Sequence, residues 1–216
     1  MTVHNLVIRE IEEKDLPTLK HLIVEAFGDG WNLGRFNDSS DFFEPLLDTY
    51  LSIFLNSSTF GRIAEIEGKP VGAILVSAQG EEEKFRKFQK NVAPNMLALL
   101  SASDSERNDI AEHLSVSFQA IGTLLENSAG NYDSSLEFIA VTKQAQGLKI
   151  GQALWNDACT YLKSKKCKSL YLISDSACNT GFYEHNGFLR ANEKRAEYNY
   201  TTGQKHFDIF VYEYSF

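Results

Sequence analysis

The sequence predicts an α/β fold, because segments with strand periodicity alternate with segments of helical spacing along the chain. The first part reads as strand, helix, helix, strand, strand, and a later part as strand, loop, helix, strand, before the chain turns extended and aromatic-rich. At 216 residues, 43% of them hydrophobic, the chain can build a sizeable core, and residues 1–216 are read as one domain with a helical insertion at about 80–133. No repeat, linker or low-complexity stretch divides it.

Residues 6–11 alternate well enough for an opening strand. Asp15 then stands where an N-cap would, ahead of Leu16, Leu19, Ile23 and Phe27 at helical spacing, and Gly28 closes that helix. A loop over residues 28–38 precedes Ser39, Ser40 and Asp41, which open a second helix with Phe42, Phe43, Leu46, Leu47, Tyr50, Leu51 and Phe54 as its apolar face. Residues 60–66 and 71–77 read as strands joined across Glu67, Gly68, Lys69 and Pro70, the punctuation of a hairpin turn.

From residue 80 to 133 the pattern becomes charged and helical, with Leu114, Phe118, Ile121 and Leu125 on one stripe. Strand character returns at 136–141, a helix follows at about 151–165, and 170–174 is a short apolar strand. Residues 180–186 make a short helix closed by Gly187, and 207–214 form a final aromatic strand.

A formal net charge of −8 argues against nucleic acid as the main partner, since phosphate binding needs a basic surface, and would draw in a cationic acceptor, the alternative being acidity that serves solubility alone. The N-terminus carries no basic segment followed by an apolar run, and no stretch approaches the length of a membrane span, so the reading is a cytoplasmic protein with no membrane partner. Cys159, Cys167 and Cys178 have no C-x-x-C spacing, which suggests neither a disulfide framework nor a zinc site. The histidines His4, His21, His113, His185 and His206 share no ligand spacing, so no metal is expected.

The chemistry-bearing stretch begins where an apolar strand runs through Ile139, Ala140 and Val141 into Gln146, Gly147, Leu148, Lys149, Ile150, Gly151 and Gln152, and on into a helix. Such a junction is an anion site, because unpaired N–H groups of the first helical turn and the helix dipole point into the loop, and glycine lets backbone approach a phosphate. The alternative is that Gly147 and Gly151 merely let a loop turn and a helix pack. A second block follows in Asn179, Gly181, Phe182, Tyr183, Gly187 and Phe188, with Asn179 as an N-cap candidate, an aromatic pair and a closing glycine. A nucleotide-binding α/β protein is disfavoured, since no G-x-G-x-x-G, no Gly-Lys-Ser/Thr and no acidic ribose ligand are present.

Together the two blocks resemble the GNAT acetyltransferase superfamily, whose cofactor motif is Gln or Arg, two residues, Gly, one residue, Gly or Ala. Gln146, Ile150 and Gly151 match it, and Phe182, Tyr183, Gly187 and Phe188 are similar to its second signature. The resemblance is specific over about residues 136–189. It implies a mixed, mostly antiparallel sheet of about six or seven strands flanked by helices, with the insertion between strands three and four. Lys149 stands where the family usually has a glycine, so the backbone there is expected to avoid the conformations reserved for glycine. Its side chain could bind phosphate or simply be a solvated helix-start residue.

The resemblance implies acetyl-CoA as co-substrate and transfer of an acetyl group to a primary amine, on a small molecule or a peptide, by direct attack. Backbone at Ile139, Ala140 and Val141 would hold the pantetheine arm and polarise the thioester, with Asn179 and Phe182 nearby. Tyr183 is similar to the tyrosine that protonates the departing thiolate, a phenol of pKa about 10 being close to a thiol at about 8.5. Its alternative role is core packing. Glu137 is the candidate base, read as lying on the same strand face as Ile139 and Val141, provided burial or charge raises its pKa. The alternative is a carboxylate facing solvent. Trp31 and Arg35, in the loop between the first two helices, are implied acceptor contacts, with core closure as the other reading for Trp31. The insertion would shape the acceptor cleft, form a homodimer surface or serve as padding. The competing functional reading is a catalytically silent module that binds acyl-CoA or a partner protein.

Overall fold

A computed structural model describes residues 5–28, 33, 42–88, 100, 102–127 and 132–216. Among the described residues the helices and strands are, in chain order, β1 (Leu6–Glu10), α1 (Leu16–Phe27), α2 (Phe43–Ser57), β2 (Phe60–Ile66), β3 (Lys69–Ala78), α3 (Asp104–Glu126), β4 (Ser134–Val141), α4 (Ile150–Ser164), β5 (Ser169–Asp175), α5 (Gly181–His185), β6 (Leu189–Tyr200) and β7 (Gly203–Ser215). The seven strands make one sheet in the order β1-β2-β3-β4-β5-β7-β6. Among the described strands only the β4–β5 pair is parallel, so the expected mixed, mostly antiparallel sheet flanked by helices is observed.

Helices cover both faces because each carries one apolar stripe. On one face α1 and α2 bury Leu19, Leu22, Ile23, Leu46, Leu47 and Leu51 against Ile63, Leu75 and Phe138. On the other, α4 buries Leu154, Trp155, Ala158 and Leu162 against Ile74, Val76, Leu170 and Tyr212. The helix of the insertion, α3, starts with a capping box in which Ser103 and Glu106 satisfy each other's backbone N–H groups. It lays Ala120 and Leu124 on Ala196, Tyr198 and Val211 of the outer β6–β7 hairpin. No helix among the described residues is long and apolar enough to cross a membrane.

Three local expectations change. The β2–β3 hairpin turns on Glu67 and Gly68 alone, both at positive φ, as a two-residue loop matching the strand twist requires. Lys69 and Pro70 already belong to β3, and Pro70 is tolerated because β4 pairs with β3 only from Gly72 onward. Asp15 precedes α1 but makes no side-chain cap there. Its buried carboxylate instead accepts two bonds of 2.7 Å from the Arg9 guanidinium and one of 2.8 Å from Glu12 N–H, and Arg9 also reaches Glu65.

Candidate active site

The site is made by a split in the sheet. β4 and β5 are registered only at Ser134 with Leu170 and Ser135 with Tyr171, although β4 runs on to Val141 and β5 to Asp175. Beyond that point the two strands diverge. Backbone groups of β4 that would have met β5 are left facing the gap, where buried N–H and C=O groups need other partners.

Into this gap opens a cleft of about 720 Å³. Its floor includes Ile139, Ala140 and Val141, and its rim is Gln146, Gly147 and Lys149 with the first residues of α4, Ile150, Gly151 and Gln152. The start of α4 has no side-chain cap and no acidic residue in its first turn. Its unpartnered N–H groups and the positive end of the helix dipole therefore face the cleft without competition from a local carboxylate. Gly147 sits at φ +80°, and a Cβ on Gly151 would come within 3.2 Å of the Phe182 ring, so both glycines have a steric reason.

Lys149 departs from expectation. It occupies the left-handed region, φ 60° and ψ 19°, the conformation a glycine would take, so the substitution keeps the backbone path at the expense of strain. Its side chain is exposed at the mouth of the cleft, and Lys143 lines the same mouth. The sequence reading missed Lys143, whose only signal was its place in the same turn. The Lys143 N–H donates to Glu25 Oε2 at 3.2 Å, tying the loop to the end of α1.

The opposite wall is α5 and the loop before it. Asn179 lines the cleft but does not cap α5, because Thr180 holds the N-cap position and no side chain caps it. Gly187 at φ +85° ends the helix and turns Phe188 inward, where it packs 4.9 Å from Trp155, ring centre to ring centre. Tyr183 lies between Phe188 and Tyr212, at 5.7 and 5.5 Å. Burial drives its phenol well above the ordinary range, Cys178, Asp175 and Tyr212 add to the rise, and the Ser174 hydroxyl opposes it. The phenol is thus protonated at any neutral pH. The gap to a free thiol is wider than expected for a tyrosine in water, although a thiolate in the same dry position would be raised too.

A second chamber, of about 320 Å³, lies on the face covered by α1, α2 and α3. All four residues of the α3 stripe, Leu114, Phe118, Ile121 and Leu125, wall it. Glu137 enters this chamber through a β-bulge. Val76 pairs with Leu136 and Leu75 with Phe138, so Glu137 is an extra residue without a partner on β3. The bulge overturns the expectation that Glu137 shares a face with Ile139 and Val141: those two pack toward α4, whereas Glu137 accepts a hydrogen bond from Ser135 and lies near Ser57 of α2. Burial raises its pKa, and the two serine hydroxyls offset part of that rise.

The cleft and the chamber share Phe27, Ile139, Cys178 and Tyr183, and so meet at the split. Among the expected cofactor residues only Leu148 turns away, packing against the core beneath α4. Trp31 and Arg35 lie outside the described residues. Residues the sequence reading missed are Phe27 at the meeting point and Ser135, Ser174 and Asp175 in the chamber, which carry no local motif. Cys178 also borders both spaces, and burial pushes its thiol up to about 12, away from nucleophilic chemistry. Among the described residues no group of three or more His, Cys, Asp or Glu side chains is arranged to hold a metal ion.

No curated protein matches the chain. Its fold is similar to the ribosomal-protein-S18-alanine N-acetyltransferase of Escherichia coli, with a TM-score of 0.54 at 16% identity over 98% of this chain and 94% of that one. It is also similar to the PaiA N-acetyltransferase of Thermoplasma acidophilum in complex with coenzyme A, with a TM-score of 0.51 at 14% identity over 99% and 100% of the two chains. The IAA acetyltransferase of Bacillus cereus has the same TM-score, 0.51, at 13% identity over 98% and 100%. Identities this low speak to fold alone. Residues 16–188, however, match the sequence profile of the acetyltransferase (GNAT) family, and the chain belongs to that family.

Proposed function

We propose that the protein is an acyl-CoA-dependent N-acyltransferase that transfers acetyl from acetyl-CoA to a primary amine by direct attack. One observation carries the reading: a cleft floored by open strand backbone and headed by an uncapped helix start meets an apolar chamber holding a buried carboxylate, and Tyr183 borders both.

The cleft suits the cofactor chemically. The first N–H groups of α4, with Gly147 and Gly151 allowing close approach and Lys149 and Lys143 beside them, suit a pyrophosphate. Backbone of Ile139, Ala140 and Val141 can hydrogen-bond an amide-bearing arm as a missing strand would, with Asn179 and Phe182 on the other wall. Acetyl-CoA, when bound, supplies an activated acyl thioester. Around it the chain's residues have separate tasks. Open N–H groups of β4 stabilise developing negative charge on a carbonyl oxygen. Glu137, made more basic by burial, accepts a proton from the ammonium of the acceptor, directly or through water. Tyr183 stays protonated and holds the proton that a departing sulfur needs.

The test is to mix the protein with acetyl-CoA and a panel of amines and record thiol release. Amine-dependent release is expected, and Tyr183→Phe should lower kcat by about 100-fold or more with little change in acetyl-CoA affinity. Tight binding of acetyl-CoA without turnover on any amine would instead identify a silent binding module.

A further inference from the structure

The chamber behind the split has a composition that selects its occupant. Its walls are rings and aliphatic chains, Phe54, Phe138 and Tyr198 with Leu114, Phe118 and Ile121 of α3. Its volume of about 320 Å³ is at the bottom of the range for small-molecule sites. Two carboxylates face it from opposite sides of the split, Glu137 on β4 and Asp175 at the end of β5, and no lysine or arginine lines it among the described residues. His113 supplies no positive charge either, since burial holds its imidazole neutral with a pKa of about 4.

A further feature is independent of these. Ser174 is buried and borders the chamber, and its hydroxyl lies close enough to the Tyr183 phenol and the Cys178 thiol to lower both pKa values, although no bond of full hydrogen-bond geometry reaches its Oγ among the described residues. A hydroxyl shielded from water whose bonds fall short of good geometry is costly, and such groups mark places where a ligand atom or an ordered water completes the site. Glu137 has spare capacity of the same kind: a carboxylate can accept about four hydrogen bonds, and the Ser135 and Ser57 hydroxyls provide two. Asp175 accepts a bond of 2.8 Å from Ala177 N–H and is reached by the Cys178 thiol, leaving further acceptor positions.

We infer that the acceptor is a small hydrophobic monoamine, an arylalkyl- or branched alkylamine, whose ammonium is received among Glu137, Asp175 and Ser174 while its apolar body lies against α3. This rests on the acyltransferase reading above and narrows it. A polyamine or an aminoglycoside would have to bury further ammonium groups against rings and aliphatic chains, where an unpaired charge is strongly disfavoured. An acid would meet two carboxylates. Phe118, 55% exposed at the edge of the chamber, is placed to cover the far end of such an amine.

The experiment compares kcat/KM of the wild-type protein for 2-phenylethylamine and isopentylamine with that for spermidine, kanamycin, lysine and a peptide bearing a free N-terminus. The hydrophobic monoamines are expected to lead by about 100-fold, the gain from burying about three or four extra methylene equivalents. Ser174→Ala should raise KM for 2-phenylethylamine about ten-fold with kcat nearly unchanged, the loss of one hydrogen bond to a charged group, and should not lower thermal stability. A purely structural serine would leave KM where it was. Phe118→Ser should raise KM for 2-phenylethylamine more than for isopentylamine.

If spermidine, kanamycin, lysine or the peptide is acetylated with the higher kcat/KM, the inference is overturned and the acyltransferase reading stands. If acetyl-CoA binds and no amine of any class is turned over, both fall together.

Discussion

Replacing Lys149 by glycine should make the protein more stable, the opposite of what glycine does at an ordinary helical position. Lys149 is exposed, caps nothing with its side chain and sits at φ 60°. A residue with a Cβ in that region costs roughly 1–2 kcal/mol. Glycine removes that cost but adds freedom to the unfolded chain worth about 0.4–1 kcal/mol, which leaves a net gain of about 0.5–1 kcal/mol. With a urea m-value of about 2 kcal/mol/M, the unfolding midpoint should rise by about 0.25–0.5 M. Lys149→Ala keeps the strained backbone and should stay within about 0.5 kcal/mol of wild type. Both variants lose the ammonium, so both should bind acetyl-CoA more weakly at low salt and by the same factor, with the difference from wild type shrinking at high salt. A glycine variant that unfolds with or before the alanine variant would show that the left-handed conformation stores no strain. Unaltered acetyl-CoA affinity in both would remove the side chain from the anion site.

Other perturbations test the core and the titrating groups. His113 is held neutral with a pKa of about 4, against about 6.5 in an unfolded chain, so the unfolded state binds more protons between those values and stability is lost as pH falls from about 6.5 toward 4. The loss should be on the order of 3 kcal/mol, and a denaturation series over that range should flatten in His113→Gln. Ser135→Ala removes a hydrogen bond that favours the Glu137 carboxylate, so the acidic limb of kcat/KM should move to higher pH, and Glu137→Gln should abolish it. A limb that ignores both changes would rule out Glu137 as the titrating base. Arg9→Met leaves the buried Asp15 carboxylate without its guanidinium and should cost about 3–5 kcal/mol near neutral pH, read by urea unfolding. Asp15 is held below its ordinary value, so that penalty should diminish as acid protonates it.

Much of this architecture is legible in the residues because local signals agree with one another. The α4 stripe of Leu154, Ala158 and Leu162, the glycine turn before Phe188 and the hairpin at Glu67 and Gly68 each combine periodicity with a conformation that few residues permit. Lys149 misleads for a related reason: a lysine argues against left-handed backbone, yet the helix start imposes the path and the residue tolerates it. Asp15 misleads because an aspartate before a helix reads as a cap until Arg9, six residues earlier on a neighbouring strand, competes for it. The chamber could not be read at all. Its walls come from α1, α2, α3, α5 and β4 to β7, and apolar residues that line a cavity carry the same periodicity as those that fill a core.

The bulge at Glu137 is what lets one strand serve both compartments. In an unbroken strand, side chains two apart share a face, and Glu137 would have followed Ile139 and Val141 toward α4, burying a carboxylate under the Leu154 layer. The extra residue resets the alternation. Leu136 remains on the α4 side and Phe138 faces α1 and α2, while Glu137 enters the chamber beside Ser135 and Ser57. Beyond the bulge Ile139, Ala140 and Val141 still pair with β3 and still line the cleft. Backbone that lines the cleft and a carboxylate that lines the chamber can thus lie within five residues of one strand, each facing its own compartment. Removing the bulge by deleting Glu137 should therefore differ from Glu137→Gln. The point substitution leaves the pairing from Ser134 to Val141 intact and should change chemistry alone. The deletion either restores plain alternation before Ile139 or slips the strand, and a slip would also impair acetyl-CoA binding. Equal acetyl-CoA affinity in the two variants, with the deletion folded, would show that the cleft does not depend on the bulge.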